Sequence, residues 1–203
     1  MRLSSVPIAF ATCLGAAEGA ILDKRNATEC SEALQSMSFY DRPFVFPLFY
    51  SCTTILGDSI EAKENPWVHK ECVAAAVAAS IPMLHDGLSC LIGTTDAVAL
   101  PAASAWPSLD YNVYASIIGS CAWDEGGCPI TKQNFIDLIY STISQEDGPY
   151  PKSATILIDR YLKPIFSWTG FDLEDGIPYL NFNDYLHYAP YINHCDTAIQ
   201  CDT

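Results

Sequence analysis

The chain reads as all-α, a compact disulfide-stabilised helical bundle, on three observations. Apolar residues recur at three- and four-residue spacing through most of its length, with capping residues ahead of several runs. Strand signals are few, and 43–49 is the best of them. Nine cysteines become eight once an N-terminal apolar stretch containing Cys13 is set aside, and an even count behind an export signal reads as a disulfide framework.

The elements follow in order. A helix over 27–38 starts from Thr28 as N-cap and carries Cys30, Leu34 and Met37 at helical spacing. An aromatic, proline-broken connector leads to a second helix over 48–58, with Phe49, Cys52, Thr53 and Leu56 on one side. Asn65-Pro66 is a strong start signal, Asn as cap and Pro at the first helical position, for the alanine-rich segment 67–80, which Pro82 stops. Residues 88–92 read as a short buried helix and 94–107 as an irregular loop. In 110–120, Tyr111, Tyr114, Ala115 and Ile118 make a helical stripe. Residues 121–128 form a compact loop. Thr131 caps a helix over 132–144 with Phe135, Leu138, Ile139, Thr142 and Ile143 inward. Ser153 caps the next, 154–168, whose stripe runs from Leu157 and Ile158 through Tyr161, Leu162 and Ile165 to Trp168; Pro164 inside it predicts a kink over 160–164. An acidic turn over 172–176 precedes a last short helix from Leu180 or Asn181 to Tyr188.

Met1-Arg2 and the apolar run over 6–17 form an export signal, too short for a stable membrane anchor. Residues 1–19 are assigned to the signal peptide, 20–25 to a short propeptide, and 26–203 to one disulfide-rich helical domain. Lys24-Arg25 resembles the dibasic sites cut by kexin-type proteases of the fungal secretory pathway. Cleavage there leaves Asn26 as the first residue, and Asn26-Ala27-Thr28 is a glycosylation sequon. The expected product is secreted, extracellular and monomeric, with no membrane span.

The formal charge is −14, and trimming at Arg25 leaves seven basic and twenty-two acidic residues. Such a surface repels nucleic acid and anionic lipid, which excludes both as partners. The acids are scattered, half the residues are hydrophobic, and the size suits a single packed core. An acidic extracellular fluid, near the intrinsic carboxyl pKa of about 4, would relieve the repulsion among the carboxylates.

The eight cysteines are Cys30, Cys52, Cys72, Cys90, Cys121, Cys128, Cys195 and Cys201. Local pairing favours Cys121 with Cys128 and Cys195 with Cys201; the other four, one per expected helix, cross-link neighbouring helices in an order the spacing leaves open. No C-x-x-C pair stands ready for zinc. Adjacent cysteine doublets, as in hydrophobins, are absent, and the cysteines are too spread for the iron-acquiring CFEM modules. Signal, dibasic site and cysteine count together make the chain similar to fungal small secreted cysteine-rich proteins, the class that includes many effectors. That resemblance concerns organisation and implies action by binding.

Among the motifs for catalysis there is no G-x-S-x-G elbow, no H-E-x-x-H, no P-loop and no dinucleotide fingerprint. His85-Asp86 resembles the His-Asp of secreted phospholipases A2, but an alanine-rich segment stands where their glycine-rich calcium loop belongs. Asp184 and His187 are three apart on a helix and could join His194 in a metal or acid–base cluster. The favoured reading of 179–191 is instead an aromatic docking helix with incidental polar residues. Trp123-Asp124-Glu125 carries neighbouring carboxylates on a loop, a solvated turn rather than a pair facing each other across a cleft. No metal or cofactor set emerges. Aromatics make up 12% of the chain and concentrate in its last third, either as core or as a binding face, with 171–191 the place to look. The leading expectation is a non-enzymatic secreted protein that binds an extracellular protein or glycan, a fungal effector or elicitor at a host interface. Its rivals are an extracellular hydrolase drawing on His85, Asp86, Asp184 or His187, and a structural protein of cell wall or spore coat.

Overall fold

The computed structural model describes residues 30, 44–57, 60–93 and 100–190. Helix accounts for 70% of them and no strand forms among them, so the all-α reading holds. The export signal, Lys24-Arg25, the Asn26 sequon, all of the 27–38 helix but Cys30, and His194, Cys195 and Cys201 lie outside the described residues.

Helix α1 spans Phe44–Gly57. Its buried positions are Phe44, Val45, Leu48, Phe49, Cys52 and Leu56, while Phe46 is exposed. That is a helical period, where a strand would have buried alternate residues: the best strand signal does not form one over 44–49, and the helix expected from 48 already includes Phe44, inside the expected connector. Helix α2 (Ile60–Glu64) leads to a 3₁₀ turn, Pro66–Val68, whose first free amide, Trp67 N–H, donates to Asn65 Oδ1 at 3.2 Å. The start signal is therefore real, but the segment expected as one helix divides: His69 is extended, and α3 runs over Lys70–Ala78. Every residue of α3 from Cys72 to Ala78 is buried, which is why no polar face marked its ends.

Pro82 does not stop a helix; it opens one. Helix α4 is Ile81–Gly93, with Pro82 in its first turn, where a missing N–H costs nothing. The short helix expected at 88–92 is the second half of it. Helices α3 and α4 are bent by 118° at their junction, and among the described residues no single helix is long and apolar enough to cross a membrane.

From Leu100 to Asp110 the chain runs as a strap with no regular structure beyond a 3₁₀ turn at Ala103–Ala105. Asp110 then caps α5 (Tyr111–Ile118), its carboxylate accepting from Asn112 N–H at 2.8 Å and Val113 N–H at 3.2 Å. Helix α6 (Lys132–Gln145) has a reciprocal cap between Thr131 and Asn134 and buries Phe135, Leu138, Ile139, Thr142 and Ile143 as its periodicity predicts. Helices α7 (Ala154–Leu157) and α8 (Lys163–Thr169) are joined by one π-helical stretch, Ile158–Leu162, where Lys163 N–H reaches back five residues to Ile158 O. This is the expected break ahead of Pro164: the wider turn gives the proline ring room against the preceding carbonyls. Trp168 was expected inward but is 37% exposed, and Phe166 takes the core position instead. Gly170, left-handed at φ +78°, ends α8. Helix α9 is Tyr179–Tyr188.

The core gathers around α3. Phe135 of α6 meets Phe166 and Phe182 edge-on, with ring centroids 5.9 and 5.2 Å apart. Alanines 74–76 leave room for Tyr185 of α9, fully buried, whose hydroxyl donates to Ala76 O at 3.2 Å, one of the terminal carbonyls of α3. Burial pushes the Tyr185 phenol up. A single antiparallel bridge, Ile130 with Ile177, ties the loop before α6 to the turn before α9. Gly176 beside it has φ +77°, and a Cβ there would stand 2.9 Å from Pro129 Cβ, so only glycine allows the approach.

Among the described residues three cysteine pairs are bridged. Cys121–Cys128 is the expected local pair; Cys52–Cys72 nests inside Cys30–Cys90, with Cα separations of 5.7, 4.6 and 5.2 Å respectively. Cys52–Cys72 joins α1 to α3 at a point where both cysteines are fully buried. Bridging residues 20 apart restricts the unfolded chain by about 3 kcal/mol. Replacing both by alanine is accordingly expected to lower unfolding free energy by about that much in urea titrations without reductant. A loss below about 1 kcal/mol would show that helix packing alone holds α1 on α3.

Candidate functional site

The four side chains the sequence offers for catalysis are His85, Asp86, Asp184 and His187. The structure brings the two histidines to the same strap, 100–110, from two different helices. His85, on α4, sets Nε2 2.9 Å from Pro101 O and lays its ring 5.5 Å from that of Trp106. His187, on α9 and only 8% exposed, has Nε2 2.8 Å from Trp106 O and 3.0 Å from Pro107 O, while Nδ1 lies 2.6 Å from Asn183 O.

These contacts decide what the histidines can do. A general base needs a nitrogen lone pair directed at a substrate proton. Both nitrogens of His187 face main-chain oxygens, so His187 as placed cannot take a proton from a substrate without releasing one of them. His85 Nδ1 is 3.9 Å from Asp86 Oδ1, beyond hydrogen-bond range. Asp184 is exposed one turn before His187, and among the described residues no hydrogen bond or ion pair joins the two. Nor do any three His, Cys, Asp or Glu side chains among the described residues gather closely enough for a metal ion.

What the site does instead is hold backbone. Asn183 Oδ1 accepts from Leu109 N–H at 2.8 Å, and the Tyr179 hydroxyl donates to Leu109 O at 2.5 Å. Asp110 N–H donates to Trp67 O at 3.3 Å. Tyr179, Asn183 and His187 are spaced by four, so one face of α9 presents three polar side chains in a row to the strap. The strap's own anchors, Trp106 and Leu109, are buried, and Trp106 meets Trp67 edge-on at 5.1 Å. Sequence reasoning paired His187 with Asp184. The four-residue spacing from Tyr179 was the signal for the other face, and the strap partners, some eighty residues away, left none.

A second group of side chains lies beside the strap. Tyr111 and Tyr114 of α5 and Tyr179 of α9 pack together, with centroids 5.0 to 5.4 Å apart, and Trp123 meets Tyr111 edge-on at 5.1 Å. Each phenol is committed to a main-chain oxygen: Tyr111 donates to Ala122 O at 2.5 Å, Tyr114 to Cys128 O, and Tyr179 to Leu109 O. The 121–128 loop is thus held from inside by two tyrosines as well as closed by its disulfide. Burial, then the neighbouring phenols Tyr111 and Tyr179, raise the Tyr114 pKa from 10.0 to about 12. Burial and then the Asp110 carboxylate push Tyr179 up as well.

A raised phenol pKa favours the neutral form in the folded state. Its stabilisation is complete below about pH 10, where the unfolded chain would begin to ionise, and is lost as pH rises through about 12. Absorbance titration at 295 nm should therefore show Tyr114 ionising late, and stability should fall over that window with a share from this group. Tyr114→Phe should remove that share of the fall; an unchanged alkaline profile would contradict it. Compared with known proteins, the chain matches no family model, no curated protein and no solved structure.

Proposed function

We propose that the chain is a secreted protein of fungal effector or elicitor type that acts by binding a partner outside the cell rather than by catalysis. The observation that carries this reading is the engagement of His187 and His85 with strap carbonyls, which leaves the best acid–base candidates serving as clasps. The disulfide pairs fit an oxidising extracellular compartment, and the dibasic site behind an export signal supports processing on the way there. Several aromatic side chains remain outside the core, among them Trp123, Tyr188, Tyr150 and Tyr50. Aromatic residues of this kind supply contact area at low entropic cost in binding surfaces.

The test is expression of the full chain in a fungal secretory host. The expected outcome is release into the medium with Asn26 as the first residue. The labelled product should then attach saturably to host cell surfaces and compete with unlabelled protein. Turnover of ester, peptide or glycosidic substrates that disappears in His187→Asn would overturn the reading in favour of a hydrolase. Retention in the wall fraction would favour a structural role.

A further inference from the structure

Resting on the reading of the chain as a binding protein, we propose that the 121–128 loop and the adjoining rings of α5 and α9 form a docking platform for a basic peptide segment of the partner. A lysine or arginine side chain of that segment lies over the Trp123 indole and faces Asp124 and Glu125.

Trp123 is 63% exposed, whereas Trp67 and Trp106 are buried. A single exposed aromatic is ordinary on a protein surface. This one is held: Tyr111 stands edge-on beside it, and the Tyr111 hydroxyl donates to the carbonyl just before it, Ala122 O. The loop is closed by Cys121–Cys128 and fastened again where Tyr114 reaches Cys128 O. The indole is therefore presented without the ordering cost of a free loop, which is how pre-organised surfaces gain affinity.

The charge pattern selects the occupant. Asp124 and Glu125 are exposed beside the indole, and their side chains enter no hydrogen bond or ion pair among the described residues. No Lys or Arg occurs between Lys70 and Lys132, and Lys132 is itself paired with Glu174 at 2.8 Å. An electron-rich ring face flanked by two unneutralised carboxylates attracts a cation by cation–π and Coulomb terms together. A neutral sugar could stack on the indole but has no use for the carboxylates, and anionic partners are repelled. The ridge also has length. From Trp123 the ring surface continues to Tyr111, with centroids 5.1 Å apart, and to the partly exposed Tyr179 at 5.4 Å from Tyr111, so more than one ring is open to a partner. That favours a peptide segment over a single small cation.

The experiment is fluorescence anisotropy with a labelled nine-residue peptide of alternating arginine and glycine, titrated with the secreted chain at low and physiological salt. Controls are the same peptide with glutamine for arginine, spermine, and a chitin hexamer as competitors. The arginine peptide should bind saturably and weaken with salt, and the glutamine peptide should not bind. Trp123→Ala should weaken binding about tenfold or more. Trp123→Phe should retain most of it, and Asp124→Asn with Glu125→Gln should weaken it several-fold and flatten the salt dependence. Circular dichroism and a free-thiol count confirm that each variant is folded with its bridges intact, and Trp168→Ala serves as a control for an exposed tryptophan elsewhere. No arginine-peptide binding, equal binding by Trp123→Ala, or displacement only by spermine or only by the chitin hexamer would overturn the platform. Saturable host-surface attachment undiminished by Trp123→Ala would leave the binding reading standing while rejecting this surface, whereas hydrolytic turnover would reject the binding reading itself.

Discussion

Irregular backbone that is drawn against a core must find hydrogen-bond partners outside any ladder, and in this protein the 100–110 strap, pinned by the buried Trp106 and Leu109, finds most of them on side chains. Trp106 and Leu109 carry it into the core, so its amides and carbonyls lose water there. Each polar group left unpaired costs about 1–3 kcal/mol, comparable to the contribution of one disulfide. Tyr179, Asn183 and His187 from α9, His85 from α4 and the Trp67 carbonyl meet that demand. The position of α9 follows, because its polar row fits the strap while Phe182, Tyr185 and Leu186 enter the core. The packing of α3 follows in turn, since Tyr185 reaches one of its terminal carbonyls.

The same arrangement separates two kinds of surface. Where α9 and α4 face the strap, polar side chains turn inward onto main chain and their chemistry is confined. Where α5 meets the 121–128 loop, phenols likewise bond to main chain, yet their rings support an indole that projects into solvent. Two exposed carboxylates, Asp124 and Glu125, follow that indole, and no Lys or Arg occurs between Lys70 and Lys132. Rigidity in the first region and presentation in the second come from one device, a side chain that closes a carbonyl of an irregular segment.

Much of the fold was legible because local rules and burial agreed. Thr131 marked the start of α6, and Asn65 before Pro66 marked a helical start, though of a 3₁₀ turn and not of the long helix expected there. The stripe of α6 was read but for Ile136, and Pro164 marked the irregular turn. The misreadings have physical causes. Pro82 serves equally as a stop or as a first-turn residue, and only the direction change at Ser80 chooses between them. The aromatic run at 43–49 has strand composition but helical burial. At the candidate site the spacing of Asp184 and His187 was visible, but one turns to solvent and the other to carbonyls far away in sequence. A histidine's partners, when they are backbone oxygens, leave no residue type to recognise.

The most direct measurement is amide hydrogen exchange at Leu109, whose N–H donates to Asn183 Oδ1. If side chains of α9 hold the strap, Leu109 exchanges as slowly as neighbouring core amides. Asn183→Ala should then accelerate it about fivefold, in line with one hydrogen bond of roughly 1 kcal/mol, while amides in α6 keep their protection. Rapid exchange at Leu109 in the unaltered protein, or no change with Asn183→Ala, would mean the strap is held by something other than the polar row of α9.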